Sequence, residues 1–564
     1  MIGAAEREGF SAMNSTNMRQ SPDDRLQPSP HCMTRPDGSR LTYCVWQPLE
    51  AASKALVILD GWTDGDGIQG WPAALGLKDV AVFARCEHGA DASVTHVAEP
   101  QDLTARVADI DRWIGHLSQM HDKRVEDFVV LASGIDAMLL AVWAHDYAPR
   151  IRAMVLAAPS FPIRSSQRAA WTDREPRWSG RKHRRMLRYT AERIVADAAA
   201  IRVPTLLLES GRGAGADRSP QRIFFERLQT PLKRRTVCQG LGHNLEDESG
   251  RQAVTDEVRR FMADIFRGLP ERRPLLLADR YGYTQDEYER LKTPLPWRSW
   301  RGLRYRLLKT GIRMLALLSP GIRLAVRTGF DSGQMLDYVY ENRACGWPPF
   351  RWIDRIFLDN IGWKACRARK ALTEQMLREA IGRVADAGQA VRIVDIAAGP
   401  GRYVLEIIRV LPGIEISALL RDNTAANLED GRKLAEQFGL TQVTFQLGDA
   451  LDESSLAEIQ PAPNVAVACG IYQLIGDNDL ILRSLRGLAA ALRGGGYLVY
   501  TSLPWDPGLE MSARALVNRM GEAAIRRRRT QEELDDLVRA AGFEKLTMAI
   551  DEFGMSTVSL ARKP

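Results

Sequence analysis

The chain has 564 residues, 45% of them apolar and 26% charged, with a formal net charge of +7. That length predicts two or more α/β domains, and that apolar fraction excludes a disordered or fibrous chain. The 7 cysteines form no Cys-x-x-Cys and no His/Cys cluster, which excludes a zinc module and predicts reduced thiols in a cytoplasmic protein.

Residues 1–33 are polar and rich in Ser, Asn, Asp and Pro, so a disordered tail is expected, with Met33 as a second candidate start. From 34 to 268 strands alternate with helices. Residues 55–59 and 80–84 read as buried strands and 102–117 as a helix. Residues 128–131 form a strand that runs through Ala132-Ser-Gly-Ile-Asp136 into a helix over 137–145. Residues 151–157 and 203–208 are further strands, and His243 follows the strand-like 235–238 in a glycine-flanked loop. This alternation predicts a mainly parallel sheet.

Arg85-Cys-Glu-His-Gly89 and Gly242-His243 resemble segments of the α/β-hydrolase fold, in its monoacylglycerol-lipase-like and serine-aminopeptidase-like group. The resemblance spans about residues 35–268 and implies that His243 aligns with the catalytic histidine. The nucleophile of that fold sits in a strained turn, Gly-x-Ser-x-Gly, with small neighbours two positions each way. Centred on Gly134, those neighbours are Ala132 and Asp136; centred on Ser133, they are the bulky Leu131 and Ile135. The first frame keeps strand and helix in step. It places the nucleophile position on Gly134, which has no side chain, so this domain is expected to be an inactive binding or docking unit. The alternative is an active esterase with Ser133, His243 and Asp217 as its triad, or Glu209 as the acid.

Residues 269–334 read as a basic amphipathic linker. Its part 297–327 carries eight basic residues and no acid, opens on Trp297 and Trp300, and has apolar residues at helical spacing. The uninterrupted apolar run, 314–318, is too short to span a bilayer. The segment is expected to lie on an anionic membrane surface. The alternatives are a linking helix whose apolar side packs on the protein while its arginines are solvated, and a contact to nucleic acid. In 329–342, Asp337, Tyr338 and Asn342 are candidates to close over a ligand, with a structural cap as the equal alternative.

Val391-Arg-Ile-Val-Asp-Ile-Ala-Ala-Gly-Pro-Gly-Arg-Tyr403 is a strand ending in an acid, then a glycine turn and the start of a helix. Such a turn lets the backbone approach a nucleotide-like ligand. Residues 414–420 form a second strand with Asp422 just beyond it, where a carboxylate can bind ribose hydroxyls. Residues 443–447 lead into Gly448-Asp449-Ala450, and 465–468 end at Cys469-Gly470-Ile471-Tyr472-Gln473. Gly494-Gly-Gly496 turns into a strand over 497–501, and 543–550 with 557–560 close the domain. Arg526-Arg-Arg-Arg529 precedes Thr530 and Glu533, a capping box, and is expected to be solvated and without function.

This order resembles the class I S-adenosylmethionine (SAM)-dependent methyltransferases over residues 335–564. The resemblance implies a Rossmann-like fold, SAM as cofactor and no metal. Its cofactor residues would be Asp395, Ala397, Gly399, Gly401, Asp422, Asp449, Ala450 and Gly470, with Asp395 near the methionine part. All 8 histidines lie at or before His243, so Tyr472 or a carboxylate such as Asp506 would serve as any base. Gly-Ile-Tyr-Gln after the fourth strand, in place of Asp/Asn-Pro-Pro-Tyr, argues for a small-molecule or lipid acceptor. Together the halves resemble a family of fused bacterial chains described as bifunctional hydrolase/methyltransferase. A non-enzymatic scaffold is the remaining reading.

Overall fold

The computed structural model describes residues 29–47, 52–59, 75, 79–85, 102–163, 181–210, 219–238, 248–269 and 272–564. They build two α/β domains, each around its own sheet. The first sheet has strands β1 (Ser29–Thr34), β2 (Arg40–Trp46), β3 (Lys54–Ile58), β4 (Val80–Arg85), β5 (Phe128–Ser133), β6 (Ala153–Ala157), β7 (Thr205–Ser210) and β8 (Lys233–Cys238). Their order is β1-β2-β4-β3-β5-β6-β7-β8. The pairs β1/β2 and β2/β4 are antiparallel and the rest parallel. Strands β3 to β7 are almost wholly apolar because helices cover both faces of a parallel sheet. Hydrolase-like order and crossovers are thereby present.

The second sheet comprises β9 (Val391–Asp395), β10 (Ile416–Asp422), β11 (Val443–Leu447), β12 (Val465–Ala468), β13 (Tyr497–Ser502), β14 (Glu544–Ile550) and β15 (Thr557–Arg562). Their order is β11-β10-β9-β12-β13-β15-β14. The first five are parallel and β15 runs antiparallel to both its neighbours. This is the Rossmann-like methyltransferase arrangement. Strand order reverses between β9 and β12, and the crevice at the carboxyl ends of such strands is where open α/β sheets take ligands.

Several expectations need correction. Met33 is not a boundary: it lies within β1, buried against the first core. The thiols are not all reduced, since Cys44 is disulfide-bonded. The helical spacing read in the linker 269–334 does hold. The segment folds into helices Tyr283–Lys292, Trp300–Leu315 and Pro320–Thr328, the last two capped by Ser299 and Ser319. Among the described residues no helix is long and apolar enough to cross a membrane.

The arginine run is the largest departure. Thr530 does cap the helix Gln531–Ala540, accepting from Glu533 N–H at 3.2 Å. Yet Arg527, Arg528 and Arg529 are buried. Arg527 donates to Glu533 at 2.7 Å, and Arg529 to Asn478 at 2.8 Å and to the carbonyls of Tyr472 and Ile475, both at 2.7 Å. Arg528 crosses to the first domain and grips both oxygens of Asp197 at 2.8 Å. Arg150–Asp536 and Arg202–Glu532 flank this contact, and Met548 and Ile550 of β14 join the first domain's apolar core. Three consecutive buried arginines survive only if each guanidinium is matched, and here acids, carbonyls and the Asn478 amide oxygen do so.

Candidate active site

The turn after β9 is knitted to its neighbours by backbone bonds. Ala398 N–H donates to Arg421 O at 2.9 Å, and Gly401 N–H to Ala398 O at 2.8 Å. Gly401 has φ +75 and begins the helix Arg402–Val410. A Cβ there would stand 2.4 Å from Leu420 Cδ1. Gly401 therefore packs the turn closely onto Leu420 of β10. Gly399 has φ +56, and its N–H donates to Asp422 Oδ2 at 2.9 Å. The other Asp422 oxygen accepts from Thr424 N–H and Asn427 Nδ2, both at 2.9 Å. Turn and acid are thus bonded to each other at the ends of adjacent strands.

Asp395 stands at the end of β9 and is completely buried. It does meet a hydroxyl, but the protein's own: Tyr403 O–H donates to Oδ2, and Ala397 N–H to Oδ1 at 3.1 Å. These two bonds support the turn from beneath. Burial pushes the Asp395 pKa up to about 7, against the two hydrogen bonds, which lower it; the Asp422 charge adds a smaller push upward. Protonation therefore favours the fold. Stability should fall as pH rises from 4 to 7 and stay flat above, because the native state holds the proton longer. Asp395→Asn is expected to abolish that slope and, at pH 8, to raise unfolding free energy by about 2–4 kcal/mol. Urea unfolding at several pH values checks this.

The remaining residues gather at the same edge. Asp449 is exposed and accepts from Leu451 N–H at 2.9 Å, while Ala450 is buried and its carbonyl accepts from Ser484 Oγ at 2.6 Å. Gly470, just past β12, bonds through its N–H to Thr501 Oγ1 at 2.8 Å. Tyr472 lies in the apolar cluster with Ile481 and Leu485, its hydroxyl 3.2 Å from Ser484 Oγ. Burial raises its pKa, so it is packed and bonded rather than poised as a base. Asp506 is held by Arg526 at 2.7 Å.

Two further features flank this turn, of which the first was anticipated for residues 329–342 and the second was not. The helix Gly333–Glu341 lies over the turn: Gly333 Cα would be 3.3 Å from a Cβ on Gly399. Asp337, a candidate ligand-closing residue, anchors this lid to Arg402, and Tyr338 donates to Asp354. Asn342 is the lid's left-handed C-cap. The second feature is Arg369, on the long helix Ile361–Asp386 and 7% exposed. Its Nη2 would be 3.3 Å from a Cβ on Gly470. Cys366 Sγ lies 3.4 Å from the same nitrogen, the Tyr340 phenol of the lid is nearby, and Nε has no partner. Among the described residues no carboxylate pairs with it. The signal was an arginine in the buried row Ala365, Cys366, Arg369, Thr373, Met376.

In the first domain the strand–helix turn after β5 has its positive φ at Gly134, +53. The left-handed conformation of this turn thus falls on Gly134 and not on Ser133. Ser133 precedes it in extended conformation as the cap of the helix Gly134–Asp146. Glu209 is buried and paired with Arg235 at 2.9 Å. His243 and Asp217 lie outside the described residues.

Residues 258–563 match a family described as "Putative methyltransferase". The chain belongs to that family. It is 34% identical over 576 residues to the "Uncharacterized protein YnbC" of Escherichia coli (strain K12), covering 95% of this chain and 98% of that one. It is 31% identical over 209 residues to the release factor glutamine methyltransferase of Xylella fastidiosa (strain 9a5c), covering 33% of this chain and 74% of that protein. Among solved structures, the N-methyltransferase NodS from Bradyrhizobium japonicum WM9 is 11% identical, with a TM-score of 0.26, covering 35% of this chain and 97% of that one.

Proposed function

We propose that the C-terminal domain is a SAM-dependent methyltransferase acting on a small hydrophobic or lipid-like acceptor. The observation that carries this reading is the bond from Gly399 N–H to Asp422, which holds the turn and the acid together beside the switch point. When bound, SAM supplies a methyl group on a sulfonium centre, so the protein's task is chiefly alignment and exclusion of water. A carboxylate has about four accepting positions. At Asp422, donors from Gly399, Thr424 and Asn427 fill three of them. Ribose hydroxyls would take the open one and displace the Gly399 bond. Asp449 and Ala450 fit beside an adenine edge, and Arg369 fits the methionine carboxylate. The lid supplies cover.

The acceptor would be nucleophilic already, since the buried hydroxyl of Tyr472 and the ion-paired Asp506 leave neither placed to take a proton. In this reading the first domain does not hydrolyse esters, because the elbow position is Gly134; it serves as a binding or docking unit welded to the second.

Titration calorimetry with S-adenosylhomocysteine tests the assignment. The intact chain is expected to bind, and Asp422→Ala to bind about 10- to 100-fold more weakly through loss of charge-assisted hydrogen bonds. No heat from the intact chain, or equal affinity in a folded Asp422→Ala variant, overturns the reading.

A further inference from the structure

We propose that the outer faces of the helices Trp300–Leu315 and Arg351–Leu358 form a docking surface for an anionic lipid bilayer. This stands independently of the methyl-donor assignment. The first helix is amphipathic the wrong way round. The residues it turns towards the protein are Gly302, Tyr305, Lys309, Ile312 and Ala316, at three- and four-residue spacing. The opposite face carries Trp300, Leu307 and Met314, exposed by 83%, 65% and 66%. A surface helix ordinarily buries its apolar stripe. This one holds it in water along about 24 Å of helix. This facing favours surface contact over the alternative in which the apolar side packs on the protein.

The row continues into a second element. Leu317, 74% exposed, follows the helix. Gly346 sits against Pro320 and the Leu318 carbonyl, which brings Trp347 to the same corner. Trp347 is 72% exposed. Trp352 and Ile356, one turn apart on the helix Arg351–Leu358, are 60% and 64% exposed. Scattered apolar residues need no explanation, but this many tryptophan and aliphatic side chains exposed along two neighbouring helices mark a surface that something covers.

Charge identifies the occupant. Arg298, Arg304, Arg306 and Arg313 have no carboxylate partner among the described residues; Arg301 alone on this helix has one, Glu510. Tryptophan at the start of an apolar row bordered by unmatched arginines fits the headgroup level of an anionic leaflet. A second copy meeting this face about a twofold axis would oppose the same cations. Nucleic acid would engage the arginines and leave the apolar row in water. The surface is also wired to the lid. Asp354, on its second helix, accepts from Ser319 Oγ, Gly321 N–H and Cys345 N–H at 2.5, 2.9 and 3.0 Å, and from Tyr338 of the lid.

The test is flotation of the full-length chain with vesicles of phosphatidylcholine alone or with about 30% phosphatidylglycerol, at low salt and at about 0.5 M salt. Binding is expected to the anionic vesicles and to drop at least about tenfold without anionic lipid or at high salt. The Trp300→Glu/Trp352→Glu double variant should lose at least about tenfold more, with unchanged thermal unfolding because both side chains stand in water. Failure to float with either vesicle overturns the proposal. So does unchanged flotation of the folded double variant, a wild-type dimer on light scattering that this variant dissociates, or duplex DNA binding in place of vesicle binding.

Discussion

Replacing Arg528 with methionine is expected to lower the unfolding free energy by about 3–5 kcal/mol, the cost of leaving a buried charge without its partner. Arg528 fills the centre of a buried chain of charges. It holds Asp197 through two bonds at 2.8 Å, Glu287 through Nε, and the Pro504 carbonyl at 2.9 Å. Asp197 accepts in turn from His145 Nε2 at 2.8 Å, and the other ring nitrogen faces Asp146 at 2.6 Å, which Arg193 grips. Burial alone would lower the His145 pKa, but the bonds to Asp146 and Asp197 outweigh it and the net direction is up. With the ring protonated, three cations alternate with three acids. Methionine keeps the bulk of Arg528 and strands Asp197 and Glu287. Urea unfolding followed by tryptophan fluorescence checks this against Arg280→Met, whose partner Asp479 is exposed and whose loss should cost at most about 1 kcal/mol. An effect of Arg528→Met no larger than that control would mean that the two domains are not held together by this pair.

The error at Arg528 shows where sequence reading stops. Its partners lie 331 and 241 residues upstream. No local pattern separates such an arginine from a solvated one. The strands were legible for the opposite reason: β3 to β7, β9 and β12 are short apolar runs bounded by turns, and burial on both faces of a parallel sheet writes itself into composition. Strand β2 was equally legible, since Leu41, Tyr43 and Val45 alternate inward, but it went unread behind the polar tail. In the helix Trp300–Leu315 the period was visible and the facing was not. Spacing tells which residues share a side, and only packing tells which side meets water.

The turn and its acids were legible because they are short-range consequences of one strand–turn–helix and its neighbour. Roles within the set were not. Gly401 and Asp395 carry the right residue types, and the structure adds contacts that sequence could not show, to Leu420 and Tyr403. A residue's type proposes a contact, and only its neighbours in space decide whether a ligand or the protein answers it.

Arg369→Met is expected to weaken S-adenosylhomocysteine binding by about 100-fold while making the ligand-free protein more stable. The two signs together are the test. A guanidinium is always charged. Here it is 93% buried, with an unpartnered Nε and thiol and phenol neighbours in place of a carboxylate. Such a charge costs several kcal/mol unless something answers it. Its place is beside Gly470, at the switch point between β9 and β12, where a ligand's anionic end would complete the pairing. A structural arginine would behave the other way, with Arg369→Met destabilising the protein and leaving affinity alone. The ligand's own chemistry sharpens the contrast. Methylthioadenosine keeps the nucleoside and lacks the carboxylate, so it should bind the intact chain and Arg369→Met equally well, and Arg369→Lys should retain part of the preference for the carboxylate-bearing ligand. Should both ligands weaken together in Arg369→Met, the residue shapes the pocket as a whole and the carboxylate assignment fails, while the Asp422 assignment is left to its own experiment.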